Sequence, residues 1–299
     1  MILGAGIASC LVGRRHASRL AFAAMMLIYA LLISAALLTL ASQGDLSLGR
    51  NPWQNLVKTV GEFAHPSFLD LWQGNPHLEY RSDDGSLLRT EDRRAVEAQF
   101  LRQLGGATWT TFVIGTLGSL LGALLALPLG VLTARNLDGP RLLTLAAKAL
   151  LDVARSIHTL VFGLVLVGIV GLGPTAGILA IAFHSLGSYG KLYAEAIETL
   201  DIQAIEAVRA VGASPVQVFA NGVWPAVLPQ FVSAHLYIWE FNIRDSTVLG
   251  LIGAGGLGML ISEATALFQW GRLATLLLVV IALVSAFDAL SARIRKTLL

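Results

Sequence analysis

Ser156 to Gly190 reads SIHTLVFGLVLVGIVGLGPTAGILAIAFHSLGSYG, 35 residues without one Asp, Glu, Lys or Arg. As one helix at 1.5 Å per residue it would rise about 52 Å, well beyond a hydrocarbon core of roughly 30 Å. Gly171, Gly173, Pro174 and Gly177 fall in its middle, where such residues punctuate a chain. The stretch therefore predicts two membrane helices joined by a tight turn.

Working outward, Phe112 to Ala134 is uncharged over 23 residues and Leu20 to Ala41 over 22, and each can span a bilayer as a helix. A fifth span is expected from about 226 to 243, after Trp224-Pro225, and a sixth from about 273 to 292. Arg14, Arg15 and Arg19 before the first span, with Thr39 and Ala41 near its end, also suit a signal peptide. An h-region is only about 7 to 15 residues long, however, so the spanning helix is the better reading. The fold class is an all-α, polytopic membrane protein with six transmembrane helices.

Composition agrees. Charged residues are 13% of the chain, against about 25% in soluble domains, which excludes a disordered or acidic-tail protein. A net charge of +2 from scattered basic residues gives no nucleic-acid footprint. The single cysteine, Cys10, excludes a disulfide framework or a Cys-rich metal site.

Basic residues near span ends set the orientation: Arg14, Arg15 and Arg19, then Arg135 and Arg141, Lys191, and Arg293, Arg295 and Lys296. Both termini are expected in the cytoplasm. The chain then divides into 1–41, a cytoplasmic N-terminus and first span; 42–106, an extracytoplasmic loop; 107–292, a core of five spans with a cytoplasmic loop at 190–225; and 293–299, a cytoplasmic tail. The outer loop holds 16 of the 40 charged residues, and long loops escape the charge rule. Within it, Thr90-Glu91-Asp92 should open a helix ending near Gly105-Gly106, with acids where the helix dipole favours them. Ser82-Asp83-Asp84-Gly85 reads as a turn rather than a metal loop.

In the cytoplasmic loop, Tyr193 to Val211 reads as helix, stopped at Gly212 by a left-handed residue. Ser214 caps a second helix, with Pro215 at its first position and Gln217 completing a capping box. Glu206-Ala207-Val208, Gly212 six residues on, Ala213-Ser214-Pro215, and Pro225 thirteen after the glycine resemble the EAA loop of ABC importer permeases. Val208, Gly222 and Trp224 stand where that pattern usually has Ala, Ile and Leu. The segment from Leu236 through Glu240, Asn242, Arg244, Ser246 and Thr247 to Gly258 is similar to the pore segment of phosphonate-type permeases, whose members import phosphonates, phosphite, hypophosphite or phosphate. Asp245 replaces a usual Ala, and His158-Thr159 a common Pro-Glu pair. The resemblance covers about residues 108 to 292.

That resemblance implies a type I ABC importer permease fold in a bacterial inner membrane. Its coupling residues would be Glu206, Ala207, Gly212, Ala213, Ser214 and Pro215, docking on ATP-binding cassette subunits. Glu240, Asn242, Arg244, Ser246 and Thr247 would lie on the substrate path. It also implies an extracytoplasmic substrate-binding protein, a second copy of the chain as a homodimer, surrounding lipid, and a motion driven by ATP and Mg on the partner subunit. Glu240 and Arg244, four apart, form a favourable ion pair.

Other motifs carry less. Gly253, Gly255 and Gly258 satisfy G-x-G-x-x-G but lack the strand and helix that a dinucleotide site needs. No phosphate-cradling G-x-x-x-x-G-K-[ST] exists, since Gly190-Lys191 is followed by Leu192. The chain is therefore not expected to be an enzyme, has no catalytic residue, and carries no cofactor or metal of its own. His158 and His184 read as packed side chains rather than metal ligands. The competing class is an ion-gradient-driven secondary transporter or channel, which commonly shows repeated halves and ionisable groups in several spans; here there is no internal repeat.

Overall fold

The computed structural model describes residues 3–43, 51–72, 77–81, 86–137 and 140–298. They fall into two units, Met1–Lys58 and Thr59–Leu299. The first carries α1 (Leu3–Gln43), whose Phe22–Ser42 stretch is long and apolar enough to cross a membrane. Next in the chain comes α2 (Pro52–Phe63).

The second unit continues through a 3-10 turn (Ser67–Leu71) to β1 (His77–Arg81) and β2 (Leu87–Asp92), an antiparallel hairpin with His77 opposite Asp92. This hairpin departs from a purely helical fold. The expected Ser82–Gly85 turn lies outside the described residues. Thr90 and Glu91 belong to β2, and Asp92, the last residue of that strand, caps α3 from Arg93 by accepting from Arg94 N at 2.9 Å, so the helix starts slightly later than expected. It then runs 41 residues to Thr133, straight through Gly105-Gly106. Two interior glycines cost a helix only about 1 kcal/mol each, which a helix of this length absorbs.

Beyond α3 come α4 (Arg141–Ser156), α5 (Thr159–Val170) and α6 (Pro174–Glu198). The expected turn stands at Gly171-Leu172-Gly173, with both glycines at positive φ. The third expected span is shorter than a bilayer: α5 has 12 residues, about 18 Å, and meets α4 at 94°. The cytoplasmic loop also differs from expectation. α6 ends at Glu198, and Asp201 caps a separate α7 (Ile202–Ala210) by accepting from Gln203 N at 3.0 Å. Asn136 Nδ2 donates to Ile197 O at 2.7 Å and fixes that break. The chain continues through α8 (Pro215–Val218), a π turn (Phe219–Val223), α9 (Trp224–Leu249), α10 (Leu257–Ala266) and α11 (Trp270–Leu298).

Among the described residues, three helices are individually long and apolar enough to cross: α1, α3 and α11. Two bent pairs, α4 with α5 and the α8–α9 run with α10, bring the number to five. α6 is the central helix, burying small and polar residues such as Ala180, Ser185 and Tyr189, and that interior role lowers its apolarity.

α3 lies along α6 through glycines. A Cβ at Gly118 would sit 3.0 Å from Ile178 O, one at Gly122 3.0 Å from Ala182 O, and one at Gly130 3.1 Å from Gly190 O. Backbones approach this closely only where side chains are missing. At one end of the seam Tyr189, Tyr193 and Phe231 pack with Val223 and Val227, the Tyr193 and Phe231 rings 4.1 Å apart. Ile114, Ile181 and Leu249 fill another part of the core.

Candidate functional site

The corner between α7 and α8 is built by local rules. Gly212 has φ +77 and donates its N–H to Arg209 O at 2.9 Å, a conformation costing a side-chain-bearing residue about 1 to 2 kcal/mol. Ser214 N donates to Gln217 Oε1 at 2.9 Å and Gln217 N to Ser214 Oγ at 3.4 Å, closing the capping box with Pro215 at the head of α8. Val208, Ala213 and Phe219 pack inward on the aromatic cluster. Glu206, Ala207 and Ser214 are exposed, as are Val211 and Val216, at 83% and 77%. Beside them lies a cavity of about 580 Å³ bordered by Arg209, Ala213 and Val216. A stiff corner with its inner face anchored and an outer apolar and acidic face is thus present.

The residues expected on the substrate path separate into two groups. Asn242 is 2% exposed; its Nδ2 donates to Ser119 Oγ at 2.7 Å and Ser185 Oγ at 2.8 Å, while Ser185 Oγ donates to Asn242 Oδ1 at 3.1 Å. It knots α3, α6 and α9 together. Ser246 Oγ donates to Thr111 O (3.0 Å) and Ile243 O (2.7 Å), and Thr247 Oγ1 to Arg244 O (2.7 Å). Their hydroxyl protons are committed to the backbone.

Glu240 and Arg244 face elsewhere. Glu240 Oε1 is 3.7 Å from Arg244 Nη2, and its Oε2 is 3.6 Å from Arg295 Nη2 on α11. Arg244 lies 5.5 Å over the Phe241 ring, about half exposed. Asp245 turns to α5, accepting from Thr159 Oγ1 at 2.8 Å.

Sequence reasoning missed a cavity of about 300 Å³ enclosed by α4, α6 and α9, with Arg155, His184, Ser185, Ser188, Lys191 and Asn242 on its wall. Lys191 entered only as an orientation charge, although it and Arg155 bracket the uncharged stretch. The available signal was the pair Gly187 and Gly190, which lets α4 press against α6. A Cβ on Gly187 would lie 2.5 Å from Leu151 O and Arg155 N. Among the described residues no three His, Cys, Asp or Glu side chains gather as a metal site.

The sequence pattern of the family described as "Binding-protein-dependent transport system inner membrane component" matches residues 126–298. The putative phosphite transport system permease protein HtxC of Stutzerimonas stutzeri is 39% identical over 189 residues, 63% of this chain and 67% of that protein. The phosphite transport system permease protein PtxC of the same organism is 39% identical over 197 residues, 64% and 72% of the two chains. The phosphate-import permease protein PhnE of Mycolicibacterium smegmatis is 36% identical over 188 residues, 63% of this chain but 35% of the relative. Among solved structures, an inward-facing MetNI methionine ABC transporter chain is similar with a TM-score of 0.60 at 22% identity, covering 67% of this chain and 98% of that one.

Proposed function

Since the chain belongs to the binding-protein-dependent transport system inner membrane component family and is thereby the pore subunit of an ABC importer, we propose that its cargo is a phosphorus oxyanion: phosphite, a phosphonate or phosphate. The observation that carries this reading is the 39% identity to two phosphite permeases over nearly two thirds of the chain.

Two copies line one path, because each offers one corner and an ATPase dimer needs two. Glu206, Ala207 and the Gly212–Pro215 turn meet the ATPase; ATP and Mg reside there and not on this chain. An external binding protein delivers the anion to the face carrying the 42–106 loop. Six spans place both termini in the cytoplasm of a bacterial cell. ATP closure draws the corners together and opens the path outward, and hydrolysis reverses it.

The test is uptake into proteoliposomes holding the chain, its ATPase and its binding protein. ATP-dependent accumulation of at least one of the three anions is expected. Accumulation by the chain alone under an ion gradient would place it with the secondary transporters instead.

A further inference from the structure

The cavity between α4, α6 and α9 joins two cations from different helices. Arg155 stands near the end of α4 and Lys191 on α6, and their spacing is fixed by Gly187 against the α4 backbone and by Gly190 against the Leu151 side chain. Among the described residues each has one ion-pair partner, on its own helix: Asp152 3.0 Å from Arg155, and Glu195 3.7 Å from Lys191. Those carboxylates border a neighbouring cavity; among the described residues none lines this one. Arg155 and Lys191 border both cavities, and with Asp152 and Glu195 their formal charges sum to zero; an anion in this cavity meets the two cations on the side away from their carboxylates.

The neutral groups on the wall suit the same ligand. His184 Nδ1 lies 2.8 Å from Ile157 O; a carbonyl only accepts, so Nδ1 donates there, and Nε2 is the ring nitrogen left for a ligand. Ser188 adds a hydroxyl. Tyr237 and Phe241 form one edge of the cavity, and Arg244 follows at the next helical turn of the same stripe, over the Phe241 ring. Arg244 itself lies outside the cavity wall and is paired with Glu240 at 3.7 Å.

We infer that this cavity is a transient binding site for a tetrahedral phosphorus oxyanion in transit, held by Arg155 and Lys191, with His184 Nε2 hydrogen-bonded to the anion. The assignment rests on the importer reading above. The Arg155 guanidinium presents paired donors that match two oxygens of one anion, while Lys191 supplies a point charge. Asp152 and Glu195 recapture the cations when the anion leaves, which keeps the site weak enough for passage.

Two measurements on the full complex test it, with phosphite and inorganic phosphate as probes. In proteoliposomes, the double variant Arg155→Gln, Lys191→Gln should lose roughly tenfold or more of the uptake rate, as removal of a focusing charge pair predicts, with the ATPase still copurifying; Arg155→Lys should retain part of it. In a Cys10→Ser background, Ser188→Cys should react with an anionic methanethiosulfonate faster than with a cationic one, relative to their rates with a free thiol. Phosphate should slow that reaction, and the anion preference should vanish in the double variant. Equal uptake by wild type and double variant at matched membrane levels, or no anion preference at Ser188→Cys, overturns the site and leaves the importer reading standing. No ATP-dependent uptake of any of these anions by wild type overturns the cargo, and the site falls with it.

Discussion

Thr159 donates its hydroxyl to Asp245 Oδ2 at 2.8 Å, tying the first turn of α5 to the last turns of α9. Both residues depart from the pattern of the permeases this chain resembles, where a Glu is common at the first position and an Ala usual at the second. Thr159→Val should destabilise the protein by about 1 to 3 kcal/mol, leaving a part-buried acceptor without its donor. With Asp245→Ala added, most of that loss should return. Thermal melts of the four proteins of the cycle in detergent measure the coupling; strict additivity would mean the bond contributes nothing.

Gly212→Val forces a β-branched residue to φ +77, and the strain of about 1 to 2 kcal/mol should displace the corner without expelling the protein from the membrane. Glu206→Lys reverses an exposed charge on the same face. Both variants should copurify less ATPase and transport less than wild type. Wild-type copurification and uptake in both would reduce the corner to a connection.

Gly187→Leu places a side chain where a Cβ alone would come 2.5 Å from two backbone atoms of α4. Overpacking of this kind costs about 1 to 3 kcal/mol, and the melting temperature should fall. Gly168→Leu, at a position with nothing within 4 Å, should leave it unchanged. Equal melting of both variants would show that α4 does not press on α6 there.

Arg244→Ala should slow uptake and Arg244→Lys should recover part of it, since the charge remains while the guanidinium fork is lost. Uptake by Arg244→Ala equal to wild type, at matched protein levels, removes Arg244 from the path.

Topology has its own test. With Cys10 replaced, cysteines at Ser86 and Thr297 should label from opposite sides of the membrane. Labelling of both by an impermeant reagent in intact cells would refute six spans with both ends inside.

Much of this was legible because the signals are local. Gly212, the Ser214–Gln217 box and the Gly171–Pro174 turn follow from one residue type at one position, and the spans from the absence of charge. What escaped depends on distant neighbours. That Ile202 to Ala210 forms its own helix, α7, rests on Asp201 and on Asn136, 61 residues before Ile197. The burial of Asn242 depends on Ser119 and Ser185, which no periodicity in α9 reveals. Val208 and Gly222 looked like two unrelated departures from the loop pattern; they face each other, a Cβ on Gly222 lying 3.4 Å from Val208 Cγ2, so the larger residue at one position occupies room left by the smaller at the other.

The glycine contacts between α3 and α6 bear on how such a machine can move. Three places along the seam set a helix backbone within about a van der Waals distance of a missing side chain. Sliding one helix along the other by most of a 5.4 Å turn would carry those carbonyls off the glycines and towards the larger side chains three and four residues away on the same face. The two helices behave as a spar that swings but does not shear. Any gate in this subunit has to turn with the spar as one body, its bending left to the joints at Gly171–Gly173 and Thr199–Asp201, where the helical hydrogen bonding is already broken.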